Sequence, residues 1–584
     1  DEPTIGVIEQ AAASGHALIY LAATDRGGLL GIASPVAPTT AADYGAPRIS
    51  IHFVAIPDLT ADSVDSWLIR PDTADVRGVI LGGLQVALNR EGRRVLQTWG
   101  ELASTEEGGA RGRLALPLKE VATRLPANRD TVRRALERAL DQCHMAANRA
   151  EREDQIMRAR TWRNRAAKSL GAALQERWFR SMFDWAFQAA ELDIVLPALS
   201  QTIMQPLRES LDHLDLATYP VALIPCGLLG AFPLHAAPVS VTLASGQDVE
   251  IPFQETCALT YQASAAAFTA ARRAVETLPE HGPVIMVGDP RPTVLPTLPW
   301  AQAEAQAIVQ VATNARIAGS RAMLAEDATR DGVMAMLARI RDSGRGAWVG
   351  VASHGHADPT DPHRCFMVLA ASERLTLADM QRQRLLAGVR LFNASGCVTG
   401  LGDLETAPDE LSSFAGGALQ AGAAGVFATQ WAVNDRATAL LMLRFAHEWV
   451  GAGAQSSLAP TVALRAAVSW LRQATPSEIN AFTRSAWDTA GSELEFARAM
   501  EPDDDDVITT VRGLDLRDAL AVETGVPLAG AAATNDADDS DDASIRARRR
   551  LPAPTSAPDT SDNVESAAPY AHPIYWAAVV AYGA

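Results

Sequence analysis

VGVASHGHADP (349–359), VRLFNASGCVTG (389–400) and AGAAGVFATQWAVND (421–435) lie within one stretch that runs from Trp348 to Asp435. Each contains a short apolar run rich in Val, Ala and Phe, as expected of a parallel strand buried on both faces, and each ends where small residues let the backbone turn sharply. Two of those turns carry His354 and Cys397. Reactive groups in an open α/β sheet collect at the carboxyl ends of its strands. A His and a Cys that end two strands of one sheet can therefore meet although they are far apart in sequence. A thiolate nucleophile and its proton-handling partner require that geometry.

Outward from this stretch, strand and helix alternate. VIMVGDP (284–290), ARIAGS (315–320), AWVGVASHG, FMVLA, VRLFNASGC and GVFATQW read as strands. PWAQAEAQAIVQVA, ATRDGVMAMLARI, LTLADMQ, SSFAGGALQAG and ATALLMLRFAHEWVGAG read as helices. The alternation predicts an α/β fold with a mostly parallel sheet covered by helices on both faces. AHPIYWAAVVAYGA (571–584) reads as a last buried strand.

Toward the amino terminus, HALIYLAAT, GGLLGIASP and ISIHFVAIP read as short strands joined by Gly and Pro turns, and LTADSVDSWLI as a capped helix. Residues from about 83 to 216 keep a 3.6-residue rhythm with Arg and Glu interleaved, the pattern of a solvated helical arm. PVALIPCGLLGAFPLHAAPV (220–239) holds Cys226 and His235, which read as core residues, as Cys365 also does. The linker ETLPEHGP (276–283) divides the chain into an amino-terminal domain, 1–275, and a second domain, 283–584. From about 500 to 568 the chain is acidic and poor in aromatic residues, which predicts a disordered loop inside the second domain.

With 584 residues the chain exceeds one core, and roughly two to four domains are expected. A net charge of −18 argues against nucleic acid and anionic membrane as partners. The five Cys form no CxxC pair, which argues against a zinc site or disulfide framework and for a reducing compartment. The chain opens DEPTIGVIEQ, with no signal peptide and no initiator Met, so a natural N-terminus upstream of Asp1 is expected. No apolar run reaches the roughly 18 to 20 residues that span a bilayer, and a cytoplasmic protein is expected. No motif demands a metal or cofactor, and the DDDD run lacks the spacing and the Gly of an EF-hand.

SHGHAD with His354, NASGCVTG with Cys397, AGVFATQWAVND, the ALRAAVSWLR helix and HPIYWAAVVAYG, in that order, resemble the CHAT-domain cysteine peptidases. These are caspase-like, clan CD enzymes related in fold to separase and the gingipains. ALIYLAAT, IPDLT, LIPCGLLGAFPLHAA and LTYQASAAAF resemble the catalytically silent amino-terminal half of such proteins, a second, pseudo-caspase-like α/β domain that here carries the helical insertion. The resemblance implies that Cys397, as thiolate, attacks a peptide carbonyl and that His354 protonates the leaving amine. It assigns the oxyanion hole to the N–H of Gly355, joined by that of Cys397. It also implies an upstream repeat or sensor domain, and a protein substrate that cleavage activates in bacterial signalling or defence.

Two acids stand at strand ends where the residue before the cleaved bond would be held. Asp289 lies in VGDP, and Asp435 completes a Trp-x-Val-x-Asp pattern that resembles the separase one. A carboxylate there pairs with an Arg guanidinium in bidentate fashion. Asp435 equally suits the N-cap of a helix beginning at Arg436. SIRARRRLPAP (544–554), inside the acidic loop, has the form of a self-processing site after Arg546, Arg548, Arg549 or Arg550. A catalytically silent adaptor, and a Cys hydrolase of small amides on another α/β fold, remain as alternatives.

Overall fold

The computed structural model describes residues 5–35, 49–68, 185–243, 245–295, 297–356, 365–396, 413–431, 433–451, 458–488 and 568–583. Cys397, the acidic run from 489 to 567 with Arg546, Arg548, Arg549 and Arg550, and most of the helical arm lie outside them.

The amino-terminal half supplies β1 (Ala17–Thr24), β2 (Gly27–Pro35), β3 (Ile49–Ile56), β4 (Val221–Pro225), the hairpin β5 (Pro238–Thr242) and β6 (Asp248–Pro252), and β7 (Leu259–Tyr261). The second half supplies β8 (Val284–Pro290), β9 (Arg321–Ala325), β10 (Ala347–Ala352), β11 (Gly355–His356), β12 (Phe366–Val368), β13 (Arg374–Thr376), β14 (Val389–Ala394), β15 (Gly425–Thr429) and β16 (Val579–Gly583). Eleven of them form one sheet in the order β3-β2-β1-β4-β7-β16-β15-β14-β10-β8-β9.

Direction divides this sheet. β1, β4, β7 and β16 run parallel to one another, as do β15, β14, β10, β8 and β9. The two blocks meet antiparallel at β15 and β16. Carboxyl ends in the first block therefore face the edge opposite to those of the second. The carboxyl-terminal strand joins the halves, pairing with β15 through five residues and with β7 through Tyr582 and Tyr261.

Helices cover both faces, as the alternation predicts. Trp348 and Phe427 share a face, because Leu391 opposes Trp348 and Asn393 opposes Phe427. Both rings pack edge-on against Phe445 of the helix Asp435–Trp449, with centroids 5.1 and 5.0 Å away. Phe392 points the other way and stacks at 6.3 Å on Phe414 of the helix Phe414–Gln420. Burying such aromatic side chains on both faces contributes about 1.5 to 3 kcal/mol each, and this central packing fixes the strand ends that carry the polar residues.

Some local structure departs from the sequence expectation. Residues 315–320 form a turn, with Arg316 (φ 60°) and Gly319 (φ 86°) in left-handed conformations that an extended strand excludes, and the strand follows at β9. FMVLA supplies β12 of a separate three-stranded sheet, β11-β12-β13. The described end of the helical arm is helical over Trp185–Leu199 and Gln205–His213, joined by a wider turn at Ser200–Met204.

Candidate active site

β15, β14, β10 and β8 are neighbours and parallel, so their carboxyl ends form one line across the sheet edge. Val351 is level with Ala394, and Ala352 with Gly288. Ser395–Gly396 and Ser353–His354–Gly355 thus follow their strands side by side, next to Asp289 at the end of β8 before Pro290. All are buried, His354 being 6% exposed, Asp289 4% and Ser395 2%.

Local hydrogen bonds shape the two turns. Ser395 N–H donates to Val351 O at 3.1 Å, and the Asn393 amide donates to Ser395 Oγ at 2.8 Å. Val368 N–H donates to His354 O at 2.9 Å, which ties the His turn to β12. Thr429 Oγ1 donates to Gly396 O at 2.5 Å from the end of β15. The Gly396 carbonyl is the last group before Cys397, and it is held from one strand away.

Gly396 touches the His turn. A Cβ at this position would lie 3.2 Å from Gly355 Cα and 3.3 Å from Gly355 N, with Met367 Cε at 3.1 Å. Only glycine permits this approach without displacing backbone. Gly355, whose N–H the family resemblance assigns to an oxyanion hole, is therefore in contact with the residue immediately before Cys397.

Asp289 and Asp435 converge on the helix Pro299–Asn314, whose first turn has no side-chain cap of its own. Asp289 Oδ1 accepts from Leu298 N–H at 2.9 Å, and Asp435 Oδ2 accepts from Trp300 N–H at 3.1 Å. Both carboxylates stabilise the positive end of that helix. Asp435 is not the cap of its own helix. Asn434 holds that position, its side chain accepting from Ala437 N–H at 2.8 Å, and Asp435 is the first helical residue, with no measurable exposure.

Burial pushes the Asp289 carboxyl above the usual carboxylate range. The Leu298 N–H and Arg291, whose Nε lies 3.2 Å from Oδ2, oppose that shift; nearby Asp435 adds to it and His354 counters it. Asp289 therefore feels the charge of both His354 and Asp435. The sequence singled out all three, and the fold brings them to one edge. Among the described residues no three His, Cys, Asp or Glu are grouped as metal ligands would be.

Sequence reasoning missed Thr429, Asn393 and Ser395. Their signal was a polar residue at the end of an otherwise apolar strand, which also describes an ordinary turn.

The other Cys and His face different surroundings. His235 Nδ1 lies 3.0 Å from Tyr261 Oη and Nε2 lies 2.9 Å from Ala577 O, and burial lowers its pKa to about 4. It is the hydrogen-bonded core histidine that the sequence predicts. Cys365 is buried at 1% exposure, again as predicted.

With this geometry in place, the comparisons give the class of protein. The CHAT domain model matches residues 193–584, and the chain belongs to the CHAT-domain family. No curated protein matches the sequence. Among solved structures it is similar to a chain of the Saccharomyces cerevisiae separase-securin complex at 10% identity and a TM-score of 0.36, over 80% of this chain and 29% of that one. This chain thus spans under a third of that protein's matched chain. Among the described residues, no helix is long and apolar enough to cross a membrane.

Proposed function

We propose that the chain is a regulated cysteine endopeptidase of the caspase-like type, with Cys397 as nucleophile, His354 as the acid for the leaving amine, and the Gly355 N–H as oxyanion donor. The contact between Gly396 and Gly355 carries this reading, because it sets the residue before the thiol against the turn that bears both the imidazole and the donor. Membership of the CHAT-domain family supports it. The thiolate attacks the scissile carbonyl, the oxyanion takes a hydrogen bond from Gly355 N–H, and His354 gives its proton to the departing amine. Water then hydrolyses the thioester, its proton returning to the imidazole.

Residues 1–275 act in this proposal as a silent scaffold for the domain 283–584, and an upstream sensor gates the site. The substrate is a protein cleaved after Arg or Lys, held by Asp435 and Asp289, and the same preference directs self-processing after Arg546, Arg548, Arg549 or Arg550. A positional-scanning peptide library tests the preference, with Arg or Lys before the cleaved bond as the expected outcome and a neutral preference as the contrary one. Mass spectrometry of wild type beside Cys397→Ala tests self-processing; an intact 544–554 run in active wild-type protein contradicts it.

One observation favours a second reading, a catalytically silent adaptor: His354 and both acids are buried, and both acids already serve the helix at Pro299. Failure of every library member under every activating condition supports the adaptor.

A further inference from the structure

β3 is the outermost strand of the eleven-stranded sheet, and among the described residues it pairs on one side only, with β2. The pairing is continuous from Gly28 opposite Ile56 to Pro35 opposite Ile49, with no bulge. An open edge of this length is ordinarily blunted by Lys, Pro, a bulge or a covering element, because its outward N–H and C=O groups template another strand. ISIHFVAI contains no Lys, Pro or bulge, no described element pairs with its outer edge, and its sole ionisable group is His52, whose Nε2 lies 2.6 Å from Ser50 Oγ.

The surrounding surface is also unusual for this chain. β1, β2 and β3 together contain no Asp, Glu, Lys or Arg, although the net charge is −18. Ile51 and Phe53, two apart on β3, share a face with Leu29, which opposes Ala55 on β2. Phe53 is 70% exposed, Leu29 43% and Ile51 39%. The Phe53 ring lies across Gly31, where an added Cβ would meet it at 3.5 Å. An apolar strip therefore runs along an open hydrogen-bonding edge.

We propose that this edge is a homodimer interface, in which β3 pairs antiparallel with β3 of a second copy about a two-fold axis at His52. The sheet then continues through both molecules. In this register Phe53 opposes the second copy's Ile51, Ile51 opposes its Phe53, and Ser50 opposes its Val54. The exposed apolar side chains of both copies fall on one face and cover each other, and no Asp, Glu, Lys or Arg faces another across the seam, where His52 opposes the second copy's His52. Repulsion between two chains of charge −18 opposes self-association elsewhere, and these three strands are free of it. A second copy thus meets the requirements of this edge, a strand without Asp, Glu, Lys or Arg and with apolar residues at alternate positions.

Light scattering after size exclusion, on the full chain at roughly 1 to 100 μM, tests the interface. Wild type is expected at twice the monomer mass, Ile51→Lys/Phe53→Lys at the monomer mass, and the Leu243→Lys control at the dimer mass. A monomeric wild type, or a double variant that stays dimeric, overturns the proposal. Hydrogen exchange on wild type adds a readout that needs no variant: β3 amides exchange more slowly at the higher concentration, and concentration-independent rates overturn it.

Discussion

Each half of the sheet places a His just beyond a strand, and the two histidines have different surroundings. In the amino-terminal half, Cys226 and His235 follow β4, at the edge opposite to the candidate site. The His235 imidazole lies against Tyr261 and Ala577, and the Cys226 thiol lies 3.9 Å from Ile224 O. In the second half, His354 and the strand leading to Cys397 end on neighbouring parallel strands and are brought together by glycine contact. Both histidines are buried, so burial alone does not separate them. What separates them is strand direction and the absence of a side chain where the turns touch.

The comparison breaks if Cys226 can replace Cys397. Cys397→Ala should lower peptidase activity by at least about 10³-fold, whereas Cys226→Ala should leave it unchanged.

His235 sharpens the contrast through pH. Its folded pKa of about 4 lies below the ordinary histidine value of 6.5, so the unfolded chain takes up this proton first as pH falls. Stability should fall between about pH 6.5 and 4 and level off below, by up to about 3 kcal/mol from this group. Urea unfolding of wild type and His235→Gln across that window measures the difference in slope, and equal slopes remove the assigned role.

The glycines give the next effect. Gly396→Ala should cost about 1 to 3 kcal/mol and most of the activity, because its Cβ meets Gly355 backbone. Gly230→Ala, in the turn after β4, meets nothing closer than 3.9 Å and should be tolerated in both assays. Thermal unfolding and turnover of the two variants decide this.

The smallest effect concerns the acids. Asp435→Asn keeps an oxygen for the Trp300 N–H and removes the charge, so stability should change by about 1 kcal/mol while preference for Arg over a neutral residue falls about tenfold. Unchanged preference confines Asp435 to holding the helix at Pro299.

Much of this was legible in the sequence. The buried strands β8, β10, β14 and β15 are short apolar runs ended by small residues, and both His354 and Asp289 stand where those runs stop. Strand direction was not legible, since periodicity carries no sign, and the reversal at β16 depends on pairing across the whole second half. The hydrogen bonds of Asp289 and Asp435 to Leu298 and Trp300 N–H were hidden for the same reason. Their partners, Leu298 and Trp300, stand at the cap and in the first turn of a helix whose position follows from packing over β8. The cap at Asn434 shows a simpler limit, because adjacent Asn and Asp suit the position equally.

The most direct measurement is covalent labelling of the full chain with a peptide acyloxymethyl ketone, followed by peptide mapping. The account predicts one adduct, on the Cys397 sulfur, absent from Cys397→Ala and strongly reduced in His354→Ala. An adduct on Cys226, or labelling of Cys397 that is indifferent to His354, would contradict it.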